Sequence, residues 1–547
     1  MNFLENIFER LKEASQRPVV QEARAARLVG ATGHELLAQV AAARTYLRQA
    51  GLRRGDRCAL LAQNSIRWVA ADLALMAEGM IVVPLYARQA LAELAVMVRD
   101  SQARLVVCGE GSLVDALRGQ MADAPRCAVF DEVFSGAGRQ ERPASTADGD
   151  AVTMIYTSGT SGEAKGVVLT AGNLNHMLWC TGARLDLLMG QRKETEQVFH
   201  YLPMCFAGSW ILMLTCLSRN AVLTLSTDLP RLADEIRLAE PHYFLNVPTL
   251  LERVRAGVEE KLAERGGAAA RMFRGAKQAW ARRQEGKAGA LDALRLGVAK
   301  AVVFPAIRRR FGRNIEALIC GSAPLAVETQ LFFQMIGIPV LQVYGLTETT
   351  AICTMDDPRR IEPGRVGPAI PGIEMRVGDN EEILVRGPNV FAGYWKRPEE
   401  TEKALRDGWF HTGDQGEVDE TGNWRIIGRL KNLIILNSGH NIAPEPIEES
   451  LARKIAGAQQ VVLVGNGRSY LAALVTGAVK TRDVAAALAA LNEKLPHYRK
   501  IRVYQVVREA FTVENGLLTA NGKLKRDAIA AKYWEEIEAM YGKAVSA

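Results

Sequence analysis

The apolar positions of the first 150 residues switch repeatedly between two periods. ELLAQVAAARTYLRQAG repeats apolar residues at helical spacing and stops at Gly51. A basic turn, LRRGDR, leads into the short apolar run CALLA, which predicts a buried strand. A second helical pattern, IRWVAADLALMAEG, precedes MIVVPLY, and a third, ALAELAVMVRDSQA, precedes RLVVCG. Alternation of this kind predicts α/β layers on a largely parallel sheet. FHYLPM, AVLTLS, HYFLNV, IEALICG and VLQVYG are further strand candidates, interrupted between about 250 and 312 by a long, basic, helical insertion. EEILVRG and WRIIGR, with turns at DNEE and ETGN, predict antiparallel strands of a smaller β-rich lobe. A second α/β pattern starts near Lys431: NLIILNSG, a helix from Pro446, VVLVGNG, LAALVTG, two helices and IRVYQVV. The expected fold class is therefore α/β, with a large N-terminal domain (1–430) and a small C-terminal domain (431–547) that meet in GRLKN.

At 547 residues the chain exceeds what one hydrophobic core organises, which agrees with two domains. Its 48% apolar and 24% charged content is that of a globular protein. The balance of 68 Lys+Arg against 61 Asp+Glu leaves +7, too mild to argue for nucleic acid and compatible with an anionic ligand or a membrane surface. Eight cysteines fall singly, without a CxxC pair or a Cys/His cluster. They read as reduced thiols of a cytoplasmic protein, not as a disulfide framework or zinc site. MNFLENIFERLKEA has acids inside its apolar stretch and no signal-peptide core. WVAADLALMAEGMIVVPLYA is interrupted by Asp72, Glu78 and Pro84, which argues against a membrane span.

Candidate chemistry begins at TMIYTSGTSGEAKGVVLT (153–170), where Gly, Ser, Thr and one lysine separate two apolar runs. Such a loop can offer backbone N–H groups and hydroxyls to phosphate oxygens, and the lysine adds charge. A flexible hairpin turn has the same composition. Walker A spacing fails, because counting from Gly159 puts Ala164 at the second glycine and Gly166 after Lys165. TSGTSGEAKGV instead resembles the signature loop of the adenylate-forming superfamily: acyl- and aryl-CoA synthetases, nonribosomal peptide adenylation domains and luciferases. GSAPL, YGLTETT, VRGPNVFAGYWKRPEET, DGWFHTGDQGEVDETGNWRIIGRLKN and LLTANGKLKRDAI follow in that family's order. The flanks VPTLLERV, FPAIRRRFGRNIEALICGSAPL and NSGHNIAPEPIEESL look most like long-chain fatty acyl-CoA synthetases.

The resemblance implies ATP-dependent activation of a medium- to long-chain fatty acid to an acyl-adenylate, then transfer to CoA. It implies that Thr157, Ser158, Gly159, Thr160, Ser161, Gly162 and Lys165 hold the β- and γ-phosphates. Gly321, Ser322 and Ala323 form the adenine-side loop, with Tyr344 and Gly345 beside adenine. Thr347 touches the α-phosphate and Glu348 ligates Mg²⁺, a cation that favours carboxylate oxygen. Asp414 accepts hydrogen bonds from the ribose, with Arg429 on the same side. Lys523 bridges the attacking carboxylate and the α-phosphate; KLKR alone does not distinguish it from Lys525 or Arg526, and only family spacing does. Lys431 is the hinge of a mobile C-terminal domain, and Gly439, His440 and Asn441 belong to the CoA side. Where related synthetases often read LPLAH this chain has LPMCF, placing Phe206 at the histidine position and Cys205 beside it.

Alternative readings are a fatty acyl-AMP ligase that loads an acyl carrier protein and a silent acyl- or nucleotide-binding protein. Met272, Ala276 and Trp280 share one helical face among Arg and Lys. That face either packs on the N-terminal domain or attaches the protein peripherally to anionic lipid.

Overall fold

The computed structural model describes residues 2–158, 164–190, 194–519 and 522–542. Two large sheets carry the body of the chain. The seven-stranded sheet runs in the order Gly393–Tyr394, Ala164–Thr170, Ala151–Ser158, Ile81–Leu85, Arg57–Leu61, Leu105–Cys108 and Arg126–Val129. Its last five strands are parallel, and the strand from Ala151 turns back antiparallel into the strand from Ala164. The eight-stranded sheet has six parallel strands at its centre, including Glu196–His200, Tyr243–Asn246, Ala317–Cys320 and Val340–Tyr344. Strands such as Ile81–Leu85 and Leu105–Cys108 are buried along their whole length, as parallel strands covered on both faces must be.

Two helices, Ile66–Ala77 and Ala207–Leu217, are apolar on nearly every side and, apart from the first residues of Ile66–Ala77, almost wholly buried. A helix without a polar face belongs inside the protein, so the long apolar stretch near Asp72 is core. The fully buried charge, Asp72, has a single partner: Trp210 Nε1 donates to Asp72 Oδ2 at 3.0 Å, while Oδ1 has no partner. Burial pushes the Asp72 carboxyl from its ordinary 3.8 up to about 7, and the Trp210 hydrogen bond offsets this only in part.

The β-rich lobe is an antiparallel sheet built around Trp409–Val418, which pairs with Glu382–Arg386 and Trp424–Arg429. C-terminal to it, Ala458–Val464, Leu471–Gly477 and Ile501–Val507 form a three-stranded sheet over its own apolar cluster. Of the two helices expected before IRVYQVV, one is the α-helix Thr481–Asn492 and the other only a 3₁₀ turn, His497–Arg499, following Pro496. Pro18–Arg24 and Arg27–Thr32 add a hairpin the pattern did not suggest. Its turn is Ala25–Ala26, both at positive φ (45° and 64°), where glycine or asparagine would ordinarily mark it.

The helical insertion comprises Pro248–Arg265, Gly267–Gln284, Ala290–Val302 and Phe304–Arg308. The Met272/Ala276/Trp280 face turns inward: Ala276 is fully buried beside Phe273, and Met272 and Trp280 pack half-buried on the same cluster. Packing on the body is thus the outcome for that face, not lipid attachment. The next helix, Ala290–Val302, instead exposes Leu291, Leu294, Val298 and Val302.

Asp72 generates a pH prediction. The folded carboxyl holds its proton more tightly than the unfolded one, so its contribution to stability falls as pH rises from about 4 to 7 and stays lost above. The full effect is roughly 4 kcal/mol. Asp72→Asn is expected to raise the thermal midpoint at pH 8 and leave it nearly unchanged at pH 4; equal midpoints at pH 8 would count against the buried charge.

Candidate functional site

The large body, the β-rich lobe and the C-terminal segment meet around a cleft of about 1650 Å³. One wall is the hairpin that opens the glycine-rich segment. Thr157 faces Lys165 in register across it, and both line the cleft. Ser158 ends that strand, whereas Gly159, Thr160, Ser161 and Gly162 lie outside the described residues. The short strand Gly393–Tyr394 pairs with the hairpin's second strand and places the Tyr394 ring 5.2 Å beneath Lys165 Nζ. The Tyr394 hydroxyl donates to Glu348 Oε1 at 2.9 Å.

Glu348 is carried by the 3₁₀ turn Thr347–Thr349, which follows the strand Val340–Tyr344. The chain doubles back so tightly that a Cβ on Gly345 would lie 2.3 Å from the Ala351 carbonyl oxygen, so no side chain fits there. Phe391 N donates to the Glu348 carbonyl at 2.8 Å and fixes the turn against the Tyr394 segment. Thr347 and Gly345 reach the cleft wall beside Glu348.

A second group lies just behind that wall. Asp414 and Arg429 are direct partners in the antiparallel lobe, with Arg429 Nε 2.8 Å from Asp414 Oδ1. The Tyr344 hydroxyl donates to Oδ2 at 2.9 Å, so both carboxylate oxygens are engaged. Burial pushes the Asp414 carboxyl upward, and Arg429 followed by Tyr344 opposes it. Gly321 and Ser322 follow the neighbouring strand Ala317–Cys320 and line the cleft. A side chain at Gly321 would collide with Val343 at 2.6 Å, and Ser322 takes φ 72°. Ala323 is exposed and is not part of the wall.

The C-terminal segment closes the far side and separates three basic residues that the sequence left equivalent. Lys525 Nζ bonds Glu93 at 2.6 Å, and Arg526 bonds the buried Glu448 at 2.7 Å. Lys523, which has neither of these carboxylate partners, feels the charges of Arg429, Asp414, Glu348 and Lys431 in the cleft. Its turn is held by Lys523 N donating to Thr519 Oγ1 at 3.0 Å and by Thr519 N donating to the Lys523 carbonyl at 2.8 Å. The Lys523 side chain is itself exposed. The surrounding protein and then Arg429 nevertheless push its ammonium down to about 8, against the pull of Asp414 and Glu348. Lys431 lines the cleft too, and burial followed by Arg429 holds it below the usual lysine range.

An apolar branch extends from this polar centre. Phe206 lines it against Tyr86, ring centres 6.0 Å apart, and Ile211, Leu212, Leu185 and Leu245 continue it. Gly208 keeps part of the space open: a Cβ there would meet only Leu245, at an ordinary 3.7 Å. Cys205 is buried and its thiol is pushed up to about 12, which removes it as a nucleophile.

Gly439, His440 and Asn441 are exposed near the hairpin Ile434–Ile435/Asn441–Ile442 and do not line the cleft. His440 Nδ1 lies 2.9 Å from Ser438 Oγ, and its ring stacks on Tyr498 at 4.3 Å. It is therefore not placed as a general base in this conformation, where the Lys523 turn occupies the cleft. Sequence reasoning missed Tyr394, although it stands inside the quoted FAGYWKRPEET motif; its position under Lys165 depends on strand pairing across more than 220 residues.

Among the described residues no three or more His, Cys, Asp or Glu side chains gather as a metal cluster. Glu348 is a single oxygen donor, which fits Mg²⁺ because that ion commonly takes one or two carboxylates and completes its shell with phosphate oxygens and water.

Comparison with known proteins agrees with this geometry. The model of the AMP-binding enzyme family matches residues 9–395, and that of the AMP-binding enzyme C-terminal domain matches residues 431–545. The long-chain-fatty-acid–CoA ligase FadD15 of Mycobacterium bovis is 29% identical, over 92% of this chain and 91% of its own. A chloroplastic long-chain-fatty-acid–[acyl-carrier-protein] ligase of Arabidopsis thaliana, AEE15, is 26% identical over 90% of this chain and 80% of its own. ATP-bound MatB from Rhodopseudomonas palustris superimposes with a TM-score of 0.74 at 25% identity, covering 97% of this chain and 99% of MatB. With the first family model spanning most of its length, the chain belongs to the AMP-binding enzymes.

Proposed function

We propose that the protein is an AMP-forming fatty acyl-CoA synthetase acting on medium- to long-chain acids. The observation that carries this reading is the join of two environments in one cleft. A cationic centre of Lys165, Arg429, Lys431 and Lys523 suits a nucleoside polyphosphate, and the apolar branch past Phe206 suits a hydrocarbon chain.

In the first step a carboxylate oxygen attacks the α-phosphorus of ATP. The α–β bridging P–O bond breaks, and pyrophosphate leaves with its electron pair. Three anionic groups must approach one another, so electrostatic stabilisation and positioning are the main demands. Lys523 meets both carboxylate and α-phosphate, Thr347 hydrogen-bonds the α-phosphate, and Thr157, Ser158 and Lys165, with Gly159 to Gly162, hold the leaving phosphates. Asp414 and Arg429 hold the ribose, while Gly321, Ser322, Tyr344 and Gly345 border adenine. Glu348, oriented by Tyr394, would hold Mg²⁺, which supplies charge neutralisation on the phosphates when bound.

In the second step a thiol sulfur attacks the acyl carbonyl, its proton passes to water, and the acyl–O bond to AMP breaks. Lys523 has no role there. Residues 431–547 would turn about Lys431 as a mobile domain, withdrawing Lys523 and bringing Gly439, His440 and Asn441 towards the cleft. Resemblance to a ligase named for an acyl carrier protein keeps that acceptor as a second reading.

The lipid contact, if the acid is collected from a bilayer, belongs on the helix Ala290–Val302. Leu291, Leu294, Val298 and Val302 form one outward row, with Arg295 at the adjoining helical position. No helix among the described residues is long and apolar enough to cross a membrane. Co-sedimentation with phosphatidylglycerol vesicles is expected to weaken with salt and with Leu294→Glu; binding indifferent to both removes this placement.

Lys523→Ala should lower fatty-acid-dependent ATP–pyrophosphate exchange by about a hundredfold or more while leaving thioester formation from supplied acyl-adenylate and CoA nearly unchanged. Exchange at the wild-type rate would refute the assignment. Because the Lys523 ammonium is lost as pH rises through about 8, kcat/KM for adenylation should decline above that pH. A profile flat to pH 10 would mean the charge at Lys523 is not used.

A further inference from the structure

We infer that Glu93 is a positioning residue for adenylation: by clasping Lys525 across the cleft, it holds the turn that carries Lys523 at the reacting centre. The inference rests on the proposed role of Lys523. It starts from an ion pair that joins residues 432 positions apart and ends two residues from that lysine.

Glu93 is already oriented for the task. It stands in the first turn of the helix Leu91–Ser101, where a negative charge is favoured by the helix dipole. Gln89 Nε2 donates to Glu93 Oε2 at 2.7 Å, leaving Oε1 to receive Lys525 Nζ at 2.6 Å. These two hydrogen bonds outweigh the effect of burial and hold the carboxyl below its ordinary range. On the other side, Lys525 N donates to the Leu517 carbonyl at 2.9 Å, and Leu518 bridges Leu524. Leu517–Thr519 and Lys523–Lys525 are thus paired with one another, so that fixing Lys525 fixes the direction of Lys523.

The far end of the same helix is tied to the phosphate side of the cleft. Tyr156, next to Thr157, donates its hydroxyl to Asp100 Oδ2 at 2.6 Å. Trp395 Nε1, next to Tyr394, donates to the Asp100 carbonyl at 3.1 Å, and Arg397 reaches Asp100 Oδ1 at 3.4 Å. One rigid helix of about 15 Å therefore links the group that contains Thr157, Tyr394 and Lys165 to the turn that brings Lys523. The clasp is partly exposed, with side-chain accessibilities of 28% for Lys525 and 39% for Glu93. Ion pairs of that kind are individually weak and readily reversed. That suits a contact that forms for one half-reaction and must open for the next.

The two half-reactions separate positioning from plain stability. Glu93→Gln is expected to lower fatty-acid-dependent ATP–pyrophosphate exchange about tenfold, mainly in kcat, and to leave thioester formation from supplied acyl-adenylate and CoA within about twofold. Lys525→Glu should do the same, and the exchanged pair Glu93→Lys/Lys525→Glu should recover most of the lost exchange. Amide hydrogen exchange over residues 522–530 should quicken in Glu93→Gln, a readout that needs no catalysis. Unchanged ATP–pyrophosphate exchange with unchanged amide protection, a matched fall in both half-reactions, or no recovery in the exchanged pair would each overturn the clasp. Failure of the wild-type protein to exchange with any acid would instead overturn the proposed reaction, and amide protection would still decide the clasp.

Discussion

Four cationic side chains, Lys165, Arg429, Lys431 and Lys523, share one cleft with the carboxylate of Glu348, and a second carboxylate, Asp414, lies just behind its wall. Like charges confined in this way repel unless an anion joins them, and both Lys431 and Lys523 are held below their ordinary basicity in part by Arg429. The arrangement is poorly balanced without a ligand and well balanced with a polyphosphate. Asp414 relieves it only in part, because it is already paired with Arg429 and Tyr344. Much of the local architecture follows from assembling these charges: a hairpin brings Lys165, a tight turn brings Glu348, adjacent antiparallel strands bring Asp414 and Arg429, and the C-terminal segment brings Lys523.

The scaffold behind this centre is stiff where the chemistry needs precision. Parallel strands end at the cleft, and the loops after Cys320 and Tyr344 pack so closely that Gly321 and Gly345 admit no side chain. Rigid loops of this kind hold groups in place before the ligand arrives, which is how electrostatic stabilisation becomes catalysis. The Lys523 turn differs in character. It is attached by a partly exposed ion pair and by local hydrogen bonds, contacts that can be exchanged at modest cost. A reaction that needs Lys523 in one step and a thiol in the next favours such a division between fixed and movable parts.

Reading the sequence succeeded where period and motif agree. Buried strands such as Ile81–Leu85 and Leu105–Cys108 announce themselves by continuous apolar runs, and the motif set identifies the family before any coordinate is known. It was weaker where structure depends on long-range pairing. The Ala25–Ala26 turn has no residue that signals positive φ, so the first hairpin is silent in the sequence. The inward turn of the Met272/Ala276/Trp280 face depends on the aromatic cluster it meets, including Phe332 and Phe333, which amphipathic spacing cannot reveal. Lys523, Lys525 and Arg526 are chemically interchangeable on paper; Glu93 and Glu448 take two of them and leave the third to the cleft.

The most direct measurement of the central claim is product analysis by mass spectrometry. Purified protein is given ATP, magnesium and a series of carboxylic acids from acetate to oleate, with and without CoA. The account predicts AMP and acyl-CoA together from the longer acids, and acyl-adenylate when CoA is withheld. Absence of AMP with every acid, in protein that binds ATP, would contradict it.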